Sequence, residues 1–315
     1  MLRGRGVSIV VPVYNSEETL RELVARLVGA LTRHAEPFEI ILVNDGSRDG
    51  SWLQLEKLAD ENKPVIAVDL TRNFGQISAT MCGIARARYA TVVTMDDDLQ
   101  HPPEEVPKLL AAMATAKYDV VFGAYEGPKG WTWRAAGSRL VNTVYRKAHP
   151  HARGIELTSF RALTPEVASA VSQFRTTTPM LNGMILSAAG RIGKVPVRHE
   201  PRRTGRTGYR FSSLARLAAQ VLFYYSTIPL RAVAACGLTL ATLALLAGIG
   251  WLIYAAGHNP AHVPWAITCI VLSLLSASIL AMLVVIGGYV RRILEEVSGR
   301  PQYVVRRVRR GGDAP

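Results

Sequence analysis

The stretch VSIVVPVYNSEETLRELVARLVGAL, residues 7–31, decides the architecture. Its first seven residues, Val7 to Val13, form a continuous apolar, β-branched run, the pattern of a strand buried on both faces. The period then changes, because Leu20, Leu23, Val24, Leu27, Val28 and Leu31 recur at helical spacing and give one apolar helix face. The same alternation continues through a strand FEIILV (38–43), a helix after Asp49, a strand PVIAVDL (64–70), a helix after Gly75 and a strand ATVVTM (90–95). Strands alternating with helices predict an α/β fold with a mostly parallel sheet, right-handed crossovers and flanking helices.

In such sheets, ligands bind beyond the carboxyl ends of the strands. Pro12, Tyr14 and Asn15 follow the first strand, and Asn44, Asp45, Gly46 and Ser47 follow the second. Thr71, Arg72, Asn73, Phe74 and Gly75 follow the third, and the fourth runs into MDDDLQHPPE, residues 95–104. Three successive carboxylates raise one another's pKa unless a cation is near. Oxygen-rich sites of this kind suit Mg²⁺ or Mn²⁺. In an extended segment alternate side chains share a direction, so Asp96, Asp98 and Gln100 are expected to face a metal together while Asp97 points elsewhere. The competing reading is an Asp-rich loop ahead of a helix, since Pro102, Pro103, Glu104 and Glu105 look like a helix start. Asp45 is expected to accept hydrogen bonds from a base or ribose, and Arg72 either holds a diphosphate or braces the acidic cluster.

Composition sets the outer limits. With 315 residues, 49% hydrophobic and 19% charged, the chain is neither disordered nor collagen-like. Cys82, Cys236 and Cys269 show no CxxC spacing and the seven His no ligand spacing, so neither a disulfide framework nor a zinc site is expected. The net charge is +13, concentrated in residues 198–216 and 291–310, each of which carries +5. A nucleic-acid binder would interleave such charge with base-stacking aromatics or a reading motif. Neither is found, and the charge is read instead as attraction to anionic lipid headgroups, topology control and phosphate handling.

Residues 232–256 and 265–290 contain no charged side chain, and each exceeds the roughly 20 residues needed to cross a bilayer. A transmembrane hairpin is expected. Arg231, Arg291 and Arg292 flank it, while the link 257–264 has neither Lys nor Arg, which places both termini in the cytoplasm. The run Val7 to Val13 is too short, and is broken by Pro12, to be a signal peptide. The expected organisation is a cytoplasmic catalytic domain (1–210), a juxtamembrane amphipathic helix (211–230), two transmembrane helices and a basic C-terminal tail (291–315) with a short strand QYVV (302–305).

The ordered set VSIVVPVYN, VNDGSRDGS, LTRNFGQ and MDDDLQHPPE resembles the GT-A fold, family 2 glycosyltransferases. It is most similar to those that act on polyprenyl phosphates, namely the dolichol-phosphate mannose synthase, bactoprenol glucosyltransferase and undecaprenyl-phosphate aminoarabinose transferase group. The likeness extends from residues 7–210 to the two apolar spans. It implies that Pro12, Tyr14, Glu17, Asp45, Arg72, Asn73, Gln76 and Asp97 sit on the nucleotide-sugar side, with Arg206 of RRTGRTGY approaching the donor diphosphate. Asp96 and Asp98 match a DxD pattern, and Gln100 its metal-proximal glutamine. Ser159, Phe160 and Arg161 match an S-F-R segment near the acceptor, so Asp96, Asp98, Ser159 and Arg161 are expected in the catalytic set.

Arg134, Arg139 and Arg146, with Trp131, Trp133 and Tyr145 at the interface, are the candidates for holding the acceptor phosphate, together with Ser159, and Arg134 is also counted in the catalytic set. The expected partners are a nucleotide-sugar donor, a polyprenyl phosphate, membrane lipids and further copies of the chain in a homotetramer. A transferase acting on another glycan or lipid, or an inactive membrane scaffold, is the alternative.

Overall fold

The computed structural model describes residues 4–34, 36–125, 155–174, 179–200, 235–250 except 241, 245 and 248, 263–297 and 301–311. The chain divides into two units, Met1–Tyr209 with Gly299–Pro315, and Arg210–Ser298.

In the first unit the strands are β1 (Gly4–Val13), β2 (Phe38–Asn44), β3 (Val65–Leu70), β4 (Tyr89–Thr94), β5 (Val120–Tyr125), β6 (Arg161–Leu163), β7 (Ile192–Val197) and β8 (Val305–Arg310). The helices are α1 (Glu17–Thr32), α2 (Ser51–Glu61), α3 (Gln76–Arg86), α4 (Val106–Ala116), α5 (Pro165–Gln173) and α6 (Leu181–Ala188). The sheet order is β7-β5-β6-β4-β1-β2-β3-β8. Pairing from β4 through β1 and β2 to β3 is parallel, as the alternation predicts, while β6 and β8 run antiparallel to their neighbours.

Both faces of the sheet are covered. Val7, Ile9, Val11 and Val13 of β1 pack with Leu20, Leu23 and Leu27 of α1 and Leu55 of α2, whereas Val10 points to the other face with Ile84 of α3 and Ile185 of α6. The period of two along β1 therefore feeds two cores, which is why apolar residues occupy both faces of the strand. Leu27 is fully buried, and truncation to Ala costs about 2–5 kcal/mol. On the other face, a Cβ on Gly83 of α3 would overlap the Val10 side chain, so glycine there lets the helix sit close to β1.

The antiparallel strands bring late sequence to the functional rim. Register Thr94↔Arg161 sets the start of β6 beside the end of β4, so Ser159 arrives at the carboxyl edge. Register Leu70↔Val305 does the same for β8 beside β3. Here the sequence expectation needs correction: the strand is Val305–Arg310, beginning at the last residue of QYVV, and it closes the edge of the catalytic sheet. Its arginines are drawn to carboxylates, with Arg307 on Asp69 and Glu56, Arg306 near Asp69 and Arg309 on Asp60. Much of the charge assigned to lipid attraction in this segment is matched within the protein.

In the second unit, residues 263–297 form one helix of 35 residues. Of the expected span 232–256, the residues described between 235 and 250 are helical. Among the described residues, no helix meets the requirement of being long and apolar enough to cross a membrane.

Candidate active site

A cleft of about 450 Å³ opens at the carboxyl ends of β1, β2, β3 and β4. Pro12, Tyr14, Asp45, Asn73 and Gln76 line it together with Asp96, Asp97 and Asp98. Strand order alone dictates this convergence, since β4, β1, β2 and β3 are neighbours and each delivers the loop that follows it.

Asp45 is almost fully buried and joins two of these loops. Its Oδ1 accepts from the Phe74 amide at 2.7 Å and its Oδ2 from the Gly75 amide at 2.9 Å. Burial raises its pKa, while the two amides and the Arg72 charge oppose the rise. Gly46 makes the approach possible: its φ is +66°, and a Cβ would lie 2.6 Å from the Arg72 carbonyl carbon. Arg72 itself stacks its guanidinium 4.2 Å from the Phe74 ring centroid and is not among the residues lining the cleft. Its charge acts on Asp45, which is neither the diphosphate contact nor the bracing of the 96–98 carboxylates expected of it.

Asp96 is gripped from both sides. Gln76 Nε2 donates to Oδ1 at 2.6 Å, and Ser159 Oγ donates to Oδ2 at 2.5 Å. Burial raises the Asp96 pKa, Asp98 adds to the rise, and Ser159, Arg161 and Gln76 oppose it. Asp97 lines the cleft beside Asp96 and Asp98 and bonds to the β1–α1 loop, where its Oδ2 accepts from the Tyr14 amide at 3.2 Å and Ser16 Oγ at 2.6 Å. Burial, opposed by these bonds, pushes its pKa up to about 6.

Four expected placements change. The segment after β4 is bent, with Leu99 at φ +59°, so the alternation that would align Gln100 with Asp96 and Asp98 is broken. Gln100 is not among the cleft-lining residues, and its carbonyl accepts from the Glu200 amide. Glu17 also lies off the cleft, because its Oε2 accepts from the Gly50 amide at the start of α2, where the helix dipole favours a carboxylate. Phe160 is fully buried core rather than acceptor surface. Arg161 is buried in β6, donating to Thr94 Oγ1 and Asn182 Oδ1, and acts on Asp96 through its charge. Ser159 does reach the site, but its hydroxyl proton goes to Asp96. Arg134, Arg139, Arg146, Trp131, Trp133, Tyr145 and Arg206 lie outside the described residues.

Sequence reading missed an aromatic wedge under the acidic loop. His101 Nε2 lies 2.7 Å from the Tyr125 hydroxyl, its ring stacks on Tyr125 at 5.4 Å, and Phe160 and His199 surround it. Burial pushes the His101 pKa down to about 4, so the ring is neutral near pH 7. Nothing local marks these residues, which come from four separate segments.

Among the described residues, no group of three or more His, Cys, Asp or Glu is arranged to hold a metal. Asp96 and Asp98 still suit a divalent cation, because Mg²⁺ is commonly held by one or two carboxylates completed by substrate phosphates. Burial is the main cause of the raised Asp96 pKa, and the smaller repulsion from Asp98 that adds to it is what a bound cation would relieve.

A mostly parallel sheet with antiparallel β6 and β8, and carboxylates at the β2 and β4 ends, is a GT-A-like α/β architecture. The chain belongs to glycosyl transferase family 2, whose sequence pattern matches residues 8–165. It is 34% identical over 307 residues to the undecaprenyl-phosphate 4-deoxy-4-formamido-L-arabinose transferase of Proteus mirabilis, covering 96% of this chain and 93% of that protein. The protein of the same name from Pseudomonas fluorescens is 34% identical over 315 residues, with 98% and 91% covered. Among solved structures, glucosyl-3-phosphoglycerate synthase from Mycobacterium tuberculosis, in complex with Mn²⁺, UDP and glucosyl-3-phosphoglycerate, aligns with TM-score 0.52 and 19% identity. That alignment covers 70% of this chain and 78% of the synthase, and establishes likeness of fold.

Proposed function

We propose that this chain is a membrane-bound, inverting glycosyltransferase that moves a sugar from a nucleotide-sugar donor to a polyprenyl phosphate. The observation that carries the reading is the convergence of Asp45, Asp96 and Asp98 on one cleft at the carboxyl edge of the sheet. The acceptor class is supported by relatives named for undecaprenyl phosphate, which align with nearly the whole chain, both apolar segments included. Their names also make a modified pentose the first donor sugar to try.

Asp96 and Asp98 would hold Mg²⁺ or Mn²⁺, whose chemistry there is to neutralise charge on the departing nucleoside diphosphate. The remaining work falls to the protein's own groups. Gln76 and Ser159 fix the Asp96 carboxylate, and Asp45 fixes the loop that presents Asn73 and Gln76. Arg161 lends positive potential from behind. A phosphate monoester has its second pKa near 6, so the acceptor oxygen is largely ionised at about pH 7 and needs no strong general base. Rate enhancement then rests on in-line placement and electrostatic stabilisation. Arg134 and Arg139 receive the acceptor phosphate, Arg206 approaches the diphosphate, and one displacement at the anomeric carbon inverts its configuration.

Residues 232–256 and 265–290 form the membrane hairpin, with both termini and the catalytic unit on the cytoplasmic side of the cell membrane and 211–230 at the interface. Support comes from the absence of charge in both runs and from the exposure of apolar side chains in the second, where Leu272, Ile279 and Val284 are 60% or more exposed.

The test is the purified protein with Mg²⁺ or Mn²⁺, a short-chain polyprenyl phosphate and a panel of radiolabelled UDP- and GDP-sugars, including the formamido-arabinose donor. A glycolipid product with one donor is expected. No product with every donor overturns the reading.

A further inference from the structure

Residues 301–311 return to the catalytic unit and run along β3. Their contacts gather at the rim that carries two walls of the cleft. Both backbone groups of Thr71, the first residue after β3, are taken: its amide donates to the Val304 carbonyl at 2.9 Å, and its carbonyl accepts from Arg306 at 2.8 Å. Two residues before it, buried Asp69 accepts from Arg307 Nε at 3.2 Å on one oxygen and from Asn44 Nδ2 at 2.8 Å on the other. Asn44 Oδ1 in turn accepts from the Ser47 amide, closing the turn that contains Asp45 and Gly46. Asp45 then holds Phe74 and Gly75. Arg307 is itself set in place by the Trp52 ring, 4.4 Å away, and by Glu56.

We propose that the C-terminal strand is a positioning element of the cleft: Val304, Arg306 and Arg307 fix the loops after β2 and β3, and through Thr71 and Asp69 hold Asp45, Asn73 and Gln76 where a nucleotide diphosphate is received. This rests on the donor-site reading above. The physical reason is that β3 would otherwise be an edge strand, with an unpaired backbone and a buried carboxylate lacking its cation. Loops that end at such an edge are free to shift by about an ångström, and displacement on that scale is enough to slow a reaction that depends on placement. Arg306 and Arg307 act through other groups and are positioning residues.

The experiment compares full-length wild type with Arg306→Ala and Arg307→Lys. Amide hydrogen exchange of residues 44–47 and 71–76 is read against β1 and β4, and binding of UDP–Mn²⁺ and GDP–Mn²⁺ is read by calorimetry. Arg306→Ala removes the bond to the Thr71 carbonyl and a longer contact, 3.7 Å, to Asp69, which keeps Arg307 and Asn44, and it leaves the core intact. Faster exchange confined to 71–76, together with roughly tenfold weaker nucleotide binding, is expected from loss of a charge-assisted bond. Arg307→Lys keeps the charge on Asp69 and should restore most of the protection at 44–47 that a matched Arg307→Ala loses. Unchanged exchange at 71–76 in Arg306→Ala, or an even rise across β1 and β4, overturns the proposal. A wild type that binds neither nucleotide overturns the donor reading instead, and the exchange data still decide the positioning claim.

Discussion

Ser159 Oγ lies 2.5 Å from Asp96 Oδ2, although 63 positions separate the two residues. With Gln76 on the opposite oxygen, this bond sets the direction in which Asp96 presents its lone pairs to the cleft. Ser159→Ala should lower kcat roughly tenfold, as expected for loss of a hydrogen bond to a charged group, with donor KM nearly unchanged. Ser159→Thr, which keeps the hydroxyl, should recover part of the loss. Steady-state kinetics on the three proteins check this, and equal activity in Ser159→Ala would remove Ser159 from the machinery.

Asp98 offers a carboxylate to the same cleft. Asp98→Asn keeps the shape and removes the charge. Activity should fall by about two to three orders of magnitude, the scale of losing one preorganised electrostatic contact to a transition state. Chelation of divalent ions by EDTA should abolish activity in the wild type, with recovery on adding Mg²⁺ or Mn²⁺. Full activity in Asp98→Asn would show that the carboxylate does not serve the reaction.

Gly46 is required by backbone geometry. Its φ is +66°, and a Cβ there would sit 2.6 Å from backbone atoms of Arg72 and Asn73, so Gly46→Ala must both strain the turn and push the β3–α3 loop away. A loss of about 2–4 kcal/mol in unfolding free energy is expected. Thermal melts and nucleotide binding measured side by side should show both effects.

Glu104 follows the acidic loop and is held by Arg26 of α1 through two bonds, at 3.0 and 2.8 Å. The Arg26 guanidinium holds its carboxyl below the usual carboxylate range, more than burial lifts it. A depressed folded pKa means stability that is present above the unfolded value and lost as pH falls through the folded one. Glu104→Gln should therefore be less stable than wild type by about 0.5–1 kcal/mol at pH 7, the scale of a partly exposed pair. In melts taken at falling pH the gap should begin to close in the ordinary carboxylate range and vanish once pH is below the depressed folded value. A gap that stays constant with pH would mean the ion pair contributes nothing.

The alternation of β1, α1, β2, α2, β3, α3 and β4 was legible because each element carries its own period, and the acidic run after β4 was legible because three adjacent carboxylates are locally conspicuous. Gln100 was not, since the alternation argument assumes extended backbone and Leu99 adopts a left-handed conformation. Glu17 was misplaced because its partner, the Gly50 amide, is 33 residues away. The arginines of β8 were assigned to lipid because their carboxylate partners, Asp69, Glu56 and Asp60, lie 238 to 251 residues earlier in the chain.

The parallel α/β core, the rim at which polar residues collect and the family resemblance are all readable along the chain, since hydrophobic period and short motifs are local properties. Which of those polar residues meet is a matter of the folded sheet. Antiparallel β6 carries Ser159 to Asp96, and antiparallel β8 carries Arg307 to Asp69. Such meetings depend on strand order and register across segments remote in sequence, and no periodicity within either segment encodes the partner it will find.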